Sequence, residues 1–295
     1  MPSAVDPPTP GSRAPTPGDR PARHFPLTKV SGLGDLALRW LGGERWDEAR
    51  PRQASTVMLV RDGERGPEVF MLKRVSGMAF APSMHVFPGG GVDPRDGESG
   101  LPWAGPTPEE WAERMGCTPA EAQMYVVAAI REVFEEVGVL LAGSSASGPL
   151  VDPHDETWAG VRERLVTREL SLAEVLVERR LVLRSDLIVA KAHWLTPVFE
   201  PRRFDTWFFA AVMPEHQVAD GETSEAETAE WVVPEDLLEE YAAGQASLLP
   251  PTLVWVEQVG AAARAADFVS HNDDLPLIMP EIVETPDGPA MRIDI

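Results

Sequence analysis

Apolar residues along this chain change their period several times, and each change marks an element. Residues 56–61 (TVMLVR) and 68–74 (EVFMLKR) are short β-type runs, and the DGERGP between them predicts a hairpin with a long turn. Farther on, Val126, Ile130, Val133, Phe134 and Val137 recur at helical spacing. That helix has its start and stop written beside it. Thr118-Pro119-Ala120-Glu121 has the form of a capping box with Pro at the first helical position, and Gly138 is placed to end the helix near Val137. Thr107-Pro108-Glu109-Glu110 predicts another helix start just upstream, and Ser171 with Glu174 a third.

The rest of the pattern is mixed. A helix is expected at 33–41, ended by Gly42 and Gly43, and a polar helical pair at 155–166 and 171–180. Strands are expected at 181–189 and 206–213 (TWFFAAVM), and a short one at 231–233 leads into a helix at 234–241. A last helix at 251–268 and a β-like tail at 290–295 complete the chain. This order predicts an α/β (α+β) domain with insertions. Residues 1–26 contain eight prolines among Ser, Thr, Gly and Arg. Such a stretch buries too little apolar surface to offset the entropy of ordering, so a disordered arm is expected there, with a single domain over 27–295.

Composition narrows the function classes. The 295 residues are 43% hydrophobic, enough for a sizeable core, and carry a formal charge of -21. That balance argues against a nucleic acid polymer as partner, because duplex affinity comes mainly from neutralising phosphates. An anionic small molecule would need an intervening cation. The one cysteine, Cys117, allows no intramolecular disulfide and no zinc cluster. No stretch approaches the roughly 18 apolar residues of a membrane span, and no signal-peptide core is present, so no membrane is expected and the default location is cytoplasmic.

Chemistry concentrates in two places. Met84–Asp96 (MHVFPGGGVDPRD) brings a bare backbone to the end of a short apolar run. Glycine runs are costly on folding and persist where backbone must approach something closely or take unusual angles. On the predicted helix, Glu132, Glu135 and Glu136 stand at i, i+3 and i+4, so they share one face. Glutamate is a good helix former, and a solvated acidic stripe is the plain reading of that face. A hard divalent cation is the other reading, since carboxylate oxygens are what Mg²⁺ or Mn²⁺ take.

Read together, the two segments resemble the signature of the Nudix hydrolases, G-x5-E-x7-R-E-U-x-E-E-x-G-U, where U is aliphatic. Its second half is matched from Arg131 through Glu132, Val133, Glu135, Glu136 and Gly138 to Val139. Its first half is interrupted: counting from Gly90, the glutamate position holds Asp96, and the arginine comes 27 residues after its expected place. An insertion between Asp96 and the helix accounts for this. The interrupted box, the run VFMLKRVSGMAFAPSMHVFPGG and the later WLTPVFEPRRFDTWFF resemble the branch containing the peroxisomal coenzyme A diphosphatases. Leu72, Arg74, Phe87, Pro88, Gly89 and Gly90 keep the spacing of a coenzyme A hydrolase pattern, whereas Val75, Ala79 and Ser83 depart from it.

The resemblance, which spans about residues 54–255, implies a Nudix-type α/β/α sandwich with a mixed sheet and helical insertions at about 97–118 and 143–180. It implies metal-dependent hydrolysis of a diphosphate in a nucleotide-derived small molecule, coenzyme A or acyl-coenzyme A first. NADH, ADP-ribose or a nucleotide sugar is the alternative within enzymes, and a Nudix-fold binding module without catalysis the alternative outside them. The implied metal ligands for Mg²⁺ or Mn²⁺ are Glu132, Glu135, Glu136 and the carbonyl of Gly89. Arg131 is expected to pair with a carboxylate of the box. An additional base is sought in the acid-rich loop holding Glu222, Glu225, Glu227 and Glu230, with Glu225 or Glu227 favoured. Arg74, Phe87, Gly90 and Arg203 are the substrate-binding candidates, with Arg202 a further cation and Trp194 or Trp207 possible neighbours of an adenine. Homodimers are common in the family.

Overall fold

In the run TVMLVR every apolar side chain from Val57 to Val60 is fully buried, so both faces of this strand are covered. The structure is a computed structural model that describes residues 22–27, 32–77, 81–158, 160–223, 226–270 and 275–294. Its contacts separate two compact units, Met1–Glu44 with Pro280–Ile295 and Arg45–Met279, where a single domain over 27–295 is expected from the sequence.

In the smaller unit, β1 (Ala22–Pro26), α1 (Leu33–Leu41), β13 (Glu281–Thr285) and β14 (Gly288–Asp294) form a three-stranded sheet of order β1-β14-β13 with a helix. Phe25, Ala37, Met291 and Ile293 are buried in it. The expected helix at 33–41 and the β-like tail are present. The expected disordered arm is corrected at its end: residues 22–26 pair antiparallel with Pro26 opposite Ala290 and Ala22 opposite Asp294. Residues 1–21 lie outside the described residues.

The larger unit is built on β2 (Arg52–Gly63), β3 (Gly66–Arg74), β4 (His85–Val86), β5 (Gly89–Gly91), β9 (Val189–Leu195), β10 (Phe204–Val212), β11 (Ala226–Val232) and β12 (Leu277–Ile278). These eight strands make one mixed sheet of order β11-β3-β2-β10-β9-β12, with β4 on β3 and β5 on β2. The expected hairpin is β2–β3, paired down to Gly63 and Gly66. β10 runs parallel to β2, and the other pairings named above except β12 on β9 are antiparallel.

Helices cover this sheet as its alternation requires. α2 (Pro108–Met115) and α3 (Pro119–Val137) start at the predicted capping boxes, and α3 ends on Gly138 in the left-handed conformation. Val57, Leu59, Phe70, Leu72, Trp207, Phe209 and Ala211 share one core with α3. The intervening residues Met58, Val60, Val69, Met71 and Ala210 are buried on the opposite face, toward α6 (Pro234–Ala242), α7 (Pro250–Ala261) and α8 (Ala265–Ser270), which pack on β2, β3 and β10. The fold class is α+β, as expected.

The insertions hold β6 (Trp103–Ala104), β7 (Ala142–Gly143), α4 (Val161–Val166), α5 (Leu172–Arg179) and β8 (Val182–Arg184), with a small sheet of order β6-β8-β7. Three expected elements differ. The helix at 155–166 is a 3-10 turn, Glu156–Trp158, then α4 starting after left-handed Gly160. The strand at 181–189 is divided between two sheets, because buried Ser185 donates to the carbonyls of Ala104 and Pro106 in a turn after β8. The last helix breaks at Ala262, and Asp62 accepts from the Ala265 N–H (2.7 Å) to start α8. No helix among the described residues is long and apolar enough to cross a membrane.

Candidate active site

The glycine run forms β5, whose Gly89, Gly90 and Gly91 pair with Thr56, Ser55 and Ala54 of β2. α3 lies across both strands, fixed by buried Ser55, whose hydroxyl donates to the Tyr125 carbonyl (2.7 Å). Neither Gly89 nor Gly90 has a positive φ, so close approach, not an unusual backbone angle, is the reason for glycine. A Cβ on Gly89 would stand 2.4 Å from the Ser55 carbonyl oxygen, and one on Gly90 2.6 Å from Glu132 Oε2.

The acidic face of α3 is turned inward. Glu132 and Glu136 are buried, and the Glu135 side chain is only 12% exposed, so the solvated stripe is excluded. Glu136 Oε2 accepts from the Gly89 N–H at 2.7 Å. At the centre of the group is buried Arg131, whose Nε and Nη2 donate to the two oxygens of Asp96 (2.9 and 3.0 Å) and whose Nη1 donates to Glu132 (2.8 Å) and Glu135 (3.1 Å). Nη2 also donates to the Gly91 carbonyl (2.9 Å), which occupies all five guanidinium hydrogens. Arg131 therefore pairs with the acids of the box, as expected.

Asp96 explains the interrupted motif. It sits in a 3-10 turn, Pro94–Gly97, capped reciprocally with Asp93, and although 35 residues from Arg131 in sequence it takes the guanidinium in a bidentate grip. The inserted β6 and α2 leave the site after Asp96 and return at α3.

Burial sets the electrostatics. Burial pushes the Glu132 carboxyl up to about 7, with Arg131 opposing and Glu135 adding to the rise. Glu135 is raised by burial as well, again against Arg131. Burial works to lower Arg131, but its hydrogen bond to Asp96 and the charges of Glu132, Asp96 and Glu135 outweigh it and hold the guanidinium charged. One arginine thus pairs with Asp96, Glu132 and Glu135, three acids against one guanidinium. Among the described residues no three His, Cys, Asp or Glu side chains are already gathered as an ion cage, and Arg131 is what draws Glu132 and Glu135. The donor set is all oxygen, Gly90 leaves the Glu132 carboxylate open to the site, and the unbalanced charge suits a hard cation, so these residues fit a divalent metal ion.

Gly89, Gly90, Gly91, Arg131, Glu132, Glu135 and Glu136 line a recess of about 210 Å³, together with Asp93, Arg95, Leu165, Val166 and Arg168. Several candidates lie elsewhere. Phe87 is buried in the core (3% exposed). Arg74, at the end of β3, has its N–H bonded to the Met84 carbonyl and is not in the recess. Arg203 is buried and donates to the carbonyls of Thr196 and Ala49, binding two chain segments together. Trp194 and Trp207 are buried too, Trp207 stacked on His193. Glu227 and Glu230 are on strand β11, not in a loop; Glu227 is 58% exposed, near Lys73, and away from the recess. Glu222 is exposed, its N–H donating to Asp220. Glu225 lies outside the described residues.

Sequence reasoning missed Asp93, Arg95 and the α4 rim. Arg95 stood inside the quoted glycine segment, but Arg168 belongs to an insertion with no motif, and only the fold brings it here. Arg162, after that insertion's 3-10 turn, also donates to the Glu135 carbonyl (2.7 Å) and to Asp220, supporting the end of α3.

The model of the NUDT19 Nudix domain matches residues 108–259. "Putative nudix hydrolase 7" of Caenorhabditis elegans is 28% identical over 200 residues, 68% of this chain and 57% of that protein. "Acyl-coenzyme A diphosphatase NUDT19" of Xenopus laevis is 26% identical over 217 residues, 62% of this chain and 57% of that one. The chain thus spans little more than half the length of these two relatives. The crystal structure of a NUDIX hydrolase from Alicyclobacillus acidocaldarius superposes with a TM-score of 0.63 at 25% identity, over 77% of this chain and 99% of that one. With half of its length matched by the family model, the buried Arg-Glu helix included, the chain belongs to the NUDT19 Nudix domain family.

Proposed function

We propose that this protein is a diphosphohydrolase that cleaves the diphosphate of a nucleoside diphosphate derivative, with coenzyme A or an acyl-coenzyme A as the first substrate. The observation that carries the reading is the recess where three inward carboxylates of α3 meet the bare backbone of β5. The names of relatives such as the Xenopus laevis acyl-coenzyme A diphosphatase support the choice of substrate.

Glu132, Glu135, Glu136 and the carbonyl of Gly89 are the groups we assign to hold Mg²⁺ or Mn²⁺. Such an ion, when bound, offsets phosphate charge and stabilises the charge that develops on the leaving oxygen. The protein's own residues do the rest. Arg131 fixes the rotamers of Glu132 and Glu135 through Nη1, and Asp96 in turn fixes Arg131. Gly90 keeps the space beside the Glu132 carboxylate free of a side chain, whereas Gly89 lets β5 lie close on β2. Glu135 is the least buried of the three glutamates, and we assign it to accept the proton of the attacking water, since Glu227 stands outside the recess.

The test is a panel of coenzyme A, acyl-coenzyme A, NADH, ADP-ribose and nucleotide sugars with Mg²⁺ or Mn²⁺, with products identified by mass. Release of 3′,5′-ADP from coenzyme A is expected, and AMP from NADH alone would replace the substrate assignment. Glu135→Gln and Glu136→Gln should each abolish turnover in a folded protein. Wild-type rates in both would remove the helix from the mechanism.

A further inference from the structure

The last turn of α3 is held from outside. The final carbonyls of a helix find no N–H within it, and α3 has no basic side chain in its last turn to serve them. Two are met by other segments: the Glu135 carbonyl accepts from Arg162 Nε at 2.7 Å, and the Val137 carbonyl accepts from the Asp220 N–H at 3.0 Å. These two donors are themselves joined, since Arg162 Nη1 donates to both carboxylate oxygens of Asp220 (2.7 and 2.9 Å). Gly138 makes room for the pair. A Cβ there would stand 2.5 Å from Asp220 Oδ2 and 3.3 Å from Arg162 Nη1, so this glycine serves close approach as well as the left-handed stop.

Glu135 and Glu136 stand in that same last turn, whereas Glu132 lies a turn farther in, and it is the ends of helices that fray. Of the two, Glu135 is the more weakly held through its side chain: its bond to Arg131 Nη1, at 3.1 Å, is the longest that this guanidinium makes. Its place therefore depends on the main chain, and there Arg162 is the fixing group. Arg162 is mostly enclosed, its side chain 17% exposed, and its Nη2 is buried without an acceptor among the described residues. A buried donor left unpaired costs stability, so the side chain is not kept there for stability alone. It is also absent from the lining of the recess.

Resting on the diphosphohydrolase reading above, we infer that Arg162, oriented by Asp220, is a positioning residue that holds the last turn of α3 so that Glu135 and Glu136 stay placed for a divalent cation. It acts through the Glu135 main chain and touches no reacting atom. Groups that orient ligands from behind in this way set metal affinity by roughly 10–100-fold. The support comes from α4, in the insertion that follows the motif, and not from the helix that carries the carboxylates.

The test measures Mn²⁺ binding to the full chain without substrate, from the electron paramagnetic resonance signal of free Mn²⁺, beside thermal unfolding of each variant. Arg162→Met is expected to raise the Mn²⁺ dissociation constant roughly tenfold or more, and Arg162→Lys, which keeps a charged donor, to recover part of that loss. Arg179→Met is the control: Arg179 lies over the Trp158 ring (4.0 Å) and bonds Thr157, fastening the same insertion without a hydrogen bond to α3, so its loss should leave Mn²⁺ affinity unchanged. An unchanged constant in folded Arg162→Met, or an equal rise in Arg179→Met, overturns the inference and leaves Arg162 a fastener of the insertion. If Arg162→Met does not fold, Asp220→Ala decides, because the N–H of residue 220 stays on the Val137 carbonyl. A rise of about threefold or more is expected in it, and a wild-type constant overturns the inference. If wild type itself binds no Mn²⁺, the metal-dependent reading falls first and this inference with it.

Discussion

Adding one methyl group at Gly90 and one at Gly89 should separate the site from the fold. In Gly90→Ala the new Cβ would meet Glu132 Oε2 at 2.6 Å, about 0.8 Å short of the 3.4 Å at which ordinary contact begins. What must yield is the far end of a side chain, so the fold loses little. The carboxylate that moves is, however, the one Arg131 holds at 2.8 Å, and a misplacement of about 1 Å in a catalytic group can cost on the order of 100-fold in rate. In Gly89→Ala the obstacles are the Ser55 carbonyl oxygen at 2.4 Å and the Thr56 Cα at 2.7 Å, both backbone of a central strand. These cannot turn aside, and overpacking of this kind costs about 1–3 kcal/mol or more.

The assay is kcat/KM on a panel substrate beside urea unfolding of each variant. Gly90→Ala should lose on the order of 100-fold in kcat/KM with a smaller loss of stability than Gly89→Ala. Gly89→Ala should be destabilised by about 1–3 kcal/mol. Wild-type turnover in Gly90→Ala, or equal destabilisation of the two, would refute the claim that these glycines serve two different neighbours.

Other perturbations are as direct. Asp96→Asn leaves the buried Arg131 guanidinium without its bidentate counter-charge and should cost about 3 kcal/mol by urea unfolding. Glu200 gives the pH dependence: burial, opposed by Arg203, pushes its carboxyl from 4.5 up to about 7. The folded state then binds the extra proton between those values, so this residue's contribution to stability falls as pH rises through the window. Glu200→Gln should therefore exceed wild type by roughly 2–3 kcal/mol above pH 7 and show no advantage below pH 4, as read by unfolding at both pH values. Asp62→Ala removes the cap of α8 and should cost about 1 kcal/mol, with faster amide exchange confined to residues 265–270.

What was legible in the sequence was local. The capping boxes at Thr107, Thr118 and Ser171 and the stop at Gly138 are signals spanning a few residues, and the helices begin and end on them. The three glutamates could be placed on one face, but whether that face met water depended on the sheet beneath it. Elements decided by distant partners were misjudged. Residues 22–26 read as part of a Pro-rich arm because β14, which pairs with them, comes at the other end of the chain. The break after α7 has no proline; Asp62, 203 residues earlier in sequence, creates it. Among the arginines, charge alone could not distinguish Arg203, buried on carbonyl groups, from Arg168, exposed at the mouth of the recess.

The interruption of the motif follows from the same division between local and distant forces. A catalytic helix needs its arginine neutralised and aimed, but nothing requires the acid that does so to be a fixed number of residues away. Asp96 is held by its own 3-10 turn, with its oxygens accepting from the Asp93 N–H as well as from Arg131, so it is oriented before the chain departs. The inserted segment can then be long, because loop closure grows only slowly in cost with length. Its helix α2 packs Trp111 into the common core at 1% exposure, giving the excursion its own apolar anchorage. An acid one methylene shorter than glutamate suffices for the same reason: the turn that carries it supplies the reach.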